Sequence, residues 1–272
     1  MIKKWIWKLP KRLLVSLIRI KFRVHFGSQR TLKLDKDLFS VQEKIAEDGQ
    51  VTDSIYFYHP IRVQLYFSGI QHRLDSLLRE YCIDFLDPFP DGLIIDIGSN
   101  VGEFTKALSR KLPGRNFLRF EPSESENRAA EKNLAGIDSL VINRPLYSHV
   151  TEINWYDAND YGDSSIFQSK NSKSSRIIST TTLDSVLKIF DFPKVALIKL
   201  EAEGAEPEIL QGSRRTLENT VAVTADLGPE RGMEGLRTFE SSQEILQDAG
   251  FKIVGRNPGG RECFLFLNQK YL

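Results

Sequence analysis

The feature that most constrains this chain is the sequence Leu-Ile-Ile-Asp-Ile-Gly-Ser-Asn-Val-Gly at residues 93–102. A continuous Leu/Ile run of this length suits a strand that is covered on both faces of a sheet. Gly98 and Gly102 allow the backbone to turn sharply and to approach a ligand without a Cβ in the way. The segment therefore predicts a buried parallel strand that turns into a helix, with a small polar ligand at the junction.

The spacing of the glycines indicates what kind of ligand this turn holds. A dinucleotide-binding turn has the pattern G-x-G-x-x-G, whose second glycine lets pyrophosphate approach the helix N-terminus. Asn100 stands at that position here, and the Asp96 carboxylate would repel a phosphate. Asp96 suits instead a ligand with hydroxyls, an amine or a sulfonium charge, unless the turn is structural and holds no ligand. The candidate binding residues of the turn are Asp96, Gly98, Ser99, Asn100 and Gly102.

Downstream of this turn, strand-like and helix-like segments alternate along the chain. Strands are predicted at 93–97, 116–120, 139–144, 195–200 and 220–226, and helices at 102–112, 123–135, 183–190, 205–218 and 239–249. This alternation predicts a parallel α/β sheet, and two final strands at 251–255 and 262–267 would add an antiparallel strand near one edge. A polar stretch at about 150–180 is predicted to be an inserted loop or hairpin beside the site.

The length of the chain suits one domain of about 180 residues with a smaller N-terminal part. We predict three parts: a basic amphipathic segment at 1–34, an α+β lead-in at 35–90, and the α/β domain at 91–272. Within the lead-in, residues 51–70 are predicted to form short strands and residues 71–84 a helix. The glycine turn then follows the first strand of the large domain.

The charge of the chain is asymmetric although the net charge is only +1. Residues 1–34 carry ten Lys and Arg and no acid, whereas the rest has 27 basic and 36 acidic residues, a net charge of −9. The longest uncharged stretch of this segment, 13–18, is too short to span a membrane or to form a signal-peptide core. The segment would suit an anionic membrane surface, the large domain or a neighbouring subunit. From Ile18 to Phe26 apolar and basic residues alternate, which predicts a strand rather than one helix over the whole segment.

Cysteine usage bears on the compartment. Cys82 and Cys263 are isolated and lack metal-ligand spacing, which argues against a disulfide framework or a zinc site. Two unpaired cysteines are typical of a protein in a reducing compartment. We therefore predict a cytoplasmic protein, peripheral at the inner membrane face if the basic segment binds lipid.

Acidic residues also follow later strands of the predicted sheet. Ligands of parallel sheets bind at the carboxyl ends of the strands, so these acids are candidate site residues. Glu121 is suitably placed to accept hydrogen bonds from both hydroxyls of a ribose, although an acid at a helix N-terminus also has a purely electrostatic explanation. Lys199 and Glu201 lie at the end of an apolar strand, where charge is costly without a partner or a task. Asp226 follows the next strand.

Four motifs together resemble the FkbM-type methyltransferases. They are residues 95–102, 120–122, 181–184 and 198–206, and the resemblance extends over about 93–267. It implies a Rossmann-like class I methyltransferase fold, with a mostly parallel seven-stranded sheet, an antiparallel C-terminal strand and an N-terminal extension. It also implies S-adenosylmethionine as the cofactor, with transfer of its methyl group usually to an oxygen. The family commonly has Asp where this chain has Glu201.

Methyl transfer from a sulfonium is an in-line displacement, so its rate depends on alignment of the acceptor and on a base for the hydroxyl proton. We predict that Glu201 is this base or orients the acceptor, and that Lys199 lowers its pKa or stabilises the developing alkoxide. Asp226 is the second candidate catalytic residue. Glu201 and Asp226 could instead hold a divalent cation, but no third ligand is evident and we predict no metal site. His149 and residues 163–165 are weaker candidates for contact with acceptor or cofactor.

The predicted function is O-methylation of a hydroxyl, on a sugar of a glycan or glycolipid, as in polysaccharide biosynthesis, or on a secondary metabolite. A different nucleotide-dependent enzyme, such as a dehydrogenase, is the first alternative, and Asn100 disfavours it. A methyltransferase-like binding module without activity is the second, because Glu201 replaces the usual Asp. No nucleic-acid partner is expected, since the catalytic region is acidic and would repel a phosphate backbone.

Overall fold

The computed structural model describes residues 9–26, 29–44, 50–158, 162–170 and 172–271. The helices are α1 Lys11–Phe26, α2 Ile70–Glu80, α3 Glu103–Lys111, α4 Glu124–Asn133, α5 Leu183–Leu187, α6 Glu206–Gln211, α7 Arg214–Glu218 and α8 Phe239–Asp248. The strands are β1 Arg30–Asp35, β2 Leu38–Lys44, β3 Val51–Phe57, β4 Leu93–Ile97, β5 Phe117–Phe120, β6 Ser139–Ile142, β7 Glu152–Ala158, β8 Ser172–Ser179, β9 Val195–Leu200, β10 Thr220–Asp226, β11 Pro229–Arg231, β12 Leu236–Arg237, β13 Phe251–Arg256 and β14 Cys263–Asn268. Of the predicted basic segment, residues 1–8 and 27–28 lie outside the described residues.

The central sheet has seven strands in the order β13-β14-β10-β9-β4-β5-β6. The strands β10, β9, β4, β5 and β6 pair in parallel, and β14 runs antiparallel to both of its neighbours. This confirms the predicted mostly parallel seven-stranded sheet with an antiparallel C-terminal strand. The order of the strands reverses between β4 and β9, which is where a ligand of such a sheet is expected.

Burial on both faces explains why the central strands could be located in the sequence. All six residues of β9 are buried, and the bounds of β4, β9 and β10 agree with the predicted ones. One apolar cluster joins Ile94 and Leu197 to side chains of α1, β1–β3 and α2, and a second joins Ile95 and Ile198 to helices α5–α8. The N-terminal elements therefore cover one face of the sheet, and the C-terminal helices cover the other.

The prediction of a strand over residues 18–26 is wrong, because these residues belong to helix α1. Leu14, Ile18 and Phe22 recur every four residues and are buried. The helix packs on β1 of the three-stranded sheet β1-β2-β3. Both spacings were present in the sequence, and packing against this small sheet selected the helical one.

Other elements differ from prediction in smaller ways. Residues 51–70 form β3, but then a 3₁₀ helix at Pro60–Tyr66 instead of a further strand. The predicted helix 205–218 is divided into α6 and α7 by a turn at Gly212, where a Cβ would lie 2.2 Å from the Tyr147 carbonyl oxygen, so that only glycine fits. The polar insertion is an antiparallel hairpin of β7 and β8.

Among the described residues, no helix combines the length and apolar character that crossing a bilayer requires.

Candidate active site

A cleft of about 1030 Å³ lies at the carboxyl ends of β4, β5 and β9. The turns that follow these three strands line it, together with residues of the β7–β8 insertion. Side chains from α2, from the 3₁₀ helix before it and from the β13–β14 turn line it as well. The cleft therefore lies next to the reversal of strand order.

The glycine turn is held against the end of β9. Gly98 has φ +69°, and a Cβ there would lie 1.8 Å from the Glu201 carbonyl oxygen, so no other residue fits without moving the backbone. Asn100 has φ +47°, a conformation that Asn tolerates. Its Nδ2 donates to the Gly162 carbonyl at 3.3 Å, so its side chain links the glycine turn to the insertion. This is a structural reason for asparagine where a dinucleotide-binding turn has glycine.

Glu121 is a buried carboxylate at the edge of the cleft. One of its oxygens accepts from the backbone N–H of Asn100 at 2.8 Å, and the other accepts from that of Ser123 at 2.9 Å. Each carboxylate oxygen can accept a further hydrogen bond, so a diol could be bound at both. Burial raises the pKa of Glu121 to about 7, because no cation among the described residues forms an ion pair with it that would offset the cost of desolvation.

Two candidates from the glycine turn do not line the cleft. The fully buried Asp96 accepts a hydrogen bond from the Thr105 hydroxyl at 2.8 Å, and its other oxygen lies 3.4 Å from Lys199 Nζ. Gly102 is the N-cap residue of helix α3 and packs against Leu134. Gly98, Ser99 and Asn100, by contrast, line the cleft.

Glu201 lies in the cleft between two cations. Lys199 Nζ is 3.0 Å from one of its oxygens, and Arg261 bonds to the other. The Tyr81 hydroxyl also hydrogen-bonds to this carboxylate. Burial alone would raise the pKa of Glu201, but the charges of Arg261 and Lys199 outweigh it and hold the pKa well below its usual range. Glu201 therefore stays ionised and is a weak proton acceptor.

Lys199 has all of its hydrogen-bonding capacity engaged by the protein. Besides Glu201 and Asp96, its ammonium donates to the carbonyls of Ile97 at 3.1 Å and Gly98 at 2.8 Å. Burial lowers its pKa, but Glu201 and Asp96 more than compensate, so the net shift is upward. Lys199 is thus a fixed cation that ties the ends of β4 and β9 together.

Arg261 bridges Glu201 and the third predicted catalytic residue, Asp226. Its Nε lies 3.3 Å from the Asp226 carboxylate. Asp226 is buried behind this guanidinium and does not line the cleft. The positive charge between the two carboxylates is therefore that of Arg261, and the described residues contain no cluster of three or more His, Cys, Asp or Glu suited to a metal ion.

Sequence reasoning missed Tyr81 and Arg261. Tyr81 continues the apolar spacing of α2, so its sequence position is typical of a core residue. Arg261 is one of many arginines in the chain, and its sequence position is typical of a surface residue. The Gly259-Gly260 pair marked a turn before Arg261, but nothing local indicated that this turn reaches the cleft.

A second carboxylate in the cleft, Glu103, was also missed. It begins helix α3 and accepts from the Tyr66 hydroxyl at 2.9 Å and from Arg73 Nε at 3.2 Å. Its other oxygen bonds to Arg62. Burial raises its pKa, but the guanidinium groups of Arg62 and Arg73 lower the pKa of Glu103 to about 2.

The weaker candidates separate into two groups. His149 is exposed and makes a contact of 3.0 Å with the neighbouring Ser148 hydroxyl, outside the cleft lining. Ser165 is buried and donates to the Glu203 carbonyl at 2.8 Å, which holds the insertion over the turn after β9. Asp163 and Ser164 line the cleft, and burial together with the negative charge of Glu201 raises the pKa of Asp163.

These residues fit a nucleoside with a charged amino-acid tail. Glu121 offers both carboxylate oxygens to a ribose, and apolar side chains nearby offer surface for a base. The apolar lining of this part is Phe120, Pro122, Leu146, Trp155 and Ile166. The volume of the cleft is sufficient for S-adenosylmethionine together with a second small ligand.

Comparisons with known proteins agree with this geometry. Residues 96–253 match the model of the methyltransferase FkbM domain. The 2-O-methyltransferase NoeI of Sinorhizobium fredii is 24% identical over 228 residues, which are 78% of this chain and 93% of that protein. Methyltransferase 1 of Beauveria bassiana is 23% identical over 241 residues, 79% of this chain and 92% of that protein.

Among solved structures, magnesium protoporphyrin IX methyltransferase (ChlM) from Synechocystis PCC 6803 with bound SAM has a TM-score of 0.44 at 14% identity. The alignment covers 93% of this chain and 96% of that one. The match to the family model extends over more than half of the chain and includes the glycine turn, Glu121, Lys199 and Glu201. The chain therefore belongs to the FkbM methyltransferase family and is an S-adenosylmethionine-dependent methyltransferase.

Proposed function

We propose that this enzyme methylates a hydroxyl oxygen, on a sugar of a glycan or glycolipid or on a secondary metabolite. The observation that carries this proposal is the Glu201 carboxylate, which is ionised and held in the cleft by Lys199 and Arg261. An ionised carboxylate accepts a hydrogen bond from a hydroxyl and so orients its oxygen. The name of the relative NoeI, a 2-O-methyltransferase, supports the same acceptor chemistry.

In this proposal the cofactor is held by the turns after β4 and β5. Gly98, Ser99 and Asn100 contact its amino-acid part, and Glu121 accepts hydrogen bonds from its ribose. Bound S-adenosylmethionine supplies a methyl group activated by a positively charged sulfur. Asp96 acts through Lys199 and Thr105, so it is a positioning residue and not a ligand of the cofactor.

Glu201 orients the acceptor and does not deprotonate it. A carboxylate with a pKa far below the working pH takes a proton poorly, and two cations hold Glu201 in that state. Asp226 serves to position Arg261, with which it is in contact.

Asp163 is the proton acceptor in this proposal. Its carboxylate lines the cleft, and burial raises its pKa, which makes it a stronger base than Glu201. Asp163, Glu201 and Arg261 line the same cleft. The hydroxyl would thus be oriented by Glu201 while its proton passes to Asp163.

The acceptor chemistry is tested with deuterated-methyl S-adenosylmethionine and a panel of methyl glycosides and polyhydroxylated metabolites. We expect a labelled methyl ether, located on the product by mass spectrometry and NMR. Transfer of the label to nitrogen or carbon, or no transfer to any hydroxyl, would contradict the proposal.

The role of Asp163 is tested by Asp163→Asn. We expect kcat to fall about 100-fold and the acidic limb of its pH profile to disappear, with cofactor affinity unchanged. Asp157→Asn is the matched control, because Asp157 belongs to the same insertion and does not line the cleft. An unchanged pH profile in Asp163→Asn would rule out this residue as the proton acceptor.

A further inference from the structure

Helix α1 has two apolar faces, of which the fold uses one. The inner face consists of Leu14, Ile18 and Phe22. These side chains are buried in one cluster with residues of the three-stranded sheet, the 3₁₀ helix Pro60–Tyr66 and helix α2. The outer face consists of Leu13, Leu17, Ile20 and Val24, whose exposed fractions are 49%, 38%, 60% and 75%. The outer face is therefore not part of the buried core.

The outer face is a regular stripe. Its four residues follow one another at intervals of four, three and four, so they lie within about 60° of arc on the helix surface. Large exposed apolar residues elsewhere on the molecule, such as Ile177 and Ile189, do not belong to such a stripe. The four residues therefore form one continuous apolar surface on the helix.

Positive charge flanks the outer face. Arg12 and Arg23 are exposed and lie along one side of the stripe, and neither has a side-chain partner among the described residues. Residues 1–34 contain ten Lys and Arg and no acid, whereas the rest of the chain carries a net charge of −9. An apolar stripe bordered by guanidinium groups matches the chemistry of an anionic lipid surface, with acyl chains below and phosphates above.

We infer that the outer face of α1 docks on an anionic membrane, with the helix lying in the plane of the interface. This goes beyond the proposed function and does not depend on which hydroxyl is methylated. Lipid is favoured over a protein partner because the stripe is narrow and the charge beside it has a single sign. Phosphate headgroups can satisfy such a row of cations without a matched partner surface.

Docking would bring the cleft close to the lipid. Phe22 on α1 packs edge-on against Phe67, with ring centroids 5.5 Å apart, and Lys21 Nζ lies 4.7 Å from the centre of the same ring. Phe67 directly follows the 3₁₀ helix Pro60–Tyr66, which carries Arg62 and Leu65 into the lining of the cleft. The docked helix is thus in contact with the segment that forms one wall of the cleft.

The test is partition of the full chain onto vesicles of phosphatidylcholine with phosphatidylglycerol, compared with phosphatidylcholine alone. We expect binding to the anionic vesicles, reduced more than about ten-fold by the pair Ile20→Gln and Val24→Gln. Arg12→Gln and Arg23→Gln should each reduce it about five-fold. Ile177→Gln and Ile189→Gln are matched controls, since they remove equally exposed apolar side chains from other elements.

Equal partition of the outer-face pair and the unchanged chain would overturn the inference. So would self-association in the absence of lipid that the same pair abolishes, because the outer face would then be a contact between two copies. Methyl transfer to a water-soluble acceptor separates this inference from the proposed function. A chain that binds vesicles and methylates no hydroxyl overturns the proposed function alone.

Discussion

Glu103 and Glu201 occupy similar environments on different parts of the cleft. Glu103 is buried and Glu201 is partly buried. Each carboxylate is held by two cations and a tyrosine hydroxyl, and in each the cations lower the pKa against the effect of desolvation. Glu103 joins α3 to the lead-in segment, because its partners Arg62, Tyr66 and Arg73 all come from residues 60–80. Glu201 joins the ends of β9 and β4 to the β13–β14 turn.

The two sites differ in what remains when the carboxylate is removed. Lys199 keeps Asp96 and Arg261 keeps Asp226 if Glu201 is lost. Arg62 has no other ion pair in the part of the chain that the structure describes. The same arrangement is therefore a replaceable structural link at Glu201 and an essential one at Glu103, and this leaves Glu201 available for chemistry.

The largest effect is expected for Glu201→Gln. Loss of the charge that orients the acceptor should lower kcat about 1000-fold, while the two cations keep their second carboxylates and the melting temperature changes little. Single-turnover transfer of labelled methyl, together with thermal unfolding and cofactor titration, measures all three quantities. If Glu201→Gln were fully active, or if it failed to fold, the proposed difference between a catalytic Glu201 and a structural Glu103 would be wrong.

Glu103→Gln should have the opposite effect to Glu201→Gln: it should destabilise the fold and leave kcat nearly unchanged. It leaves the Arg62 guanidinium buried without its carboxylate, and we expect a loss of about 3 kcal/mol in the free energy of unfolding. The folded fraction should retain kcat within a few-fold. Urea unfolding provides the measurement, and Glu80→Gln is the control, since it removes a more exposed partner of Arg73 and should cost about 1 kcal/mol. Similar losses in the two variants would mean that Glu103 is not the essential link.

Glu121 is a third carboxylate for this comparison: it is buried, it has no ion-pair partner within the described part of the chain, and its pKa is about 7. The ionised form accepts the ribose hydrogen bonds, so cofactor affinity should be lost as the pH falls through this pKa. We expect the dissociation constant to rise about ten-fold between pH 8 and pH 6.

Calorimetric titration over this pH range is the measurement for Glu121. Glu121→Gln should bind the cofactor weakly, and its affinity should depend little on pH. Any pH dependence that remains in this variant arises from titration of the cofactor itself. If the affinity of the wild-type enzyme for the cofactor depended on pH no more than that of the variant, Glu121 would not be a ligand of the cofactor.

The smallest effect is expected for Asp96→Asn. Asp96 lies behind Lys199, which keeps Glu201 and two carbonyl acceptors, so cofactor affinity should fall no more than about five-fold. Thr105→Val removes the hydroxyl that bonds to Asp96 and serves as a control for packing. Complete loss of cofactor binding in Asp96→Asn, with folding intact, would show that this carboxylate contacts the cofactor directly.

Local sequence determined much of the sheet and was sufficient to select two of the carboxylates that line the cleft. The strands β4, β9 and β10 are buried on both faces, so continuous apolar runs revealed their position to the residue. Glu121 and Glu201 could be selected because parallel strands bring their carboxyl ends to one edge. The predicted three-part division of the chain stays a prediction.

Only the tertiary structure decided which cations accompany each carboxylate. Arg261 is 60 residues from Glu201, and Glu103 is 41 residues from Arg62, so no local spacing links them. The helical state of α1 was also decided by packing on β1, since its sequence carries both periodicities. Local patterns report the burial of a segment, whereas ion pairing and pKa depend on which distant segments meet in the fold.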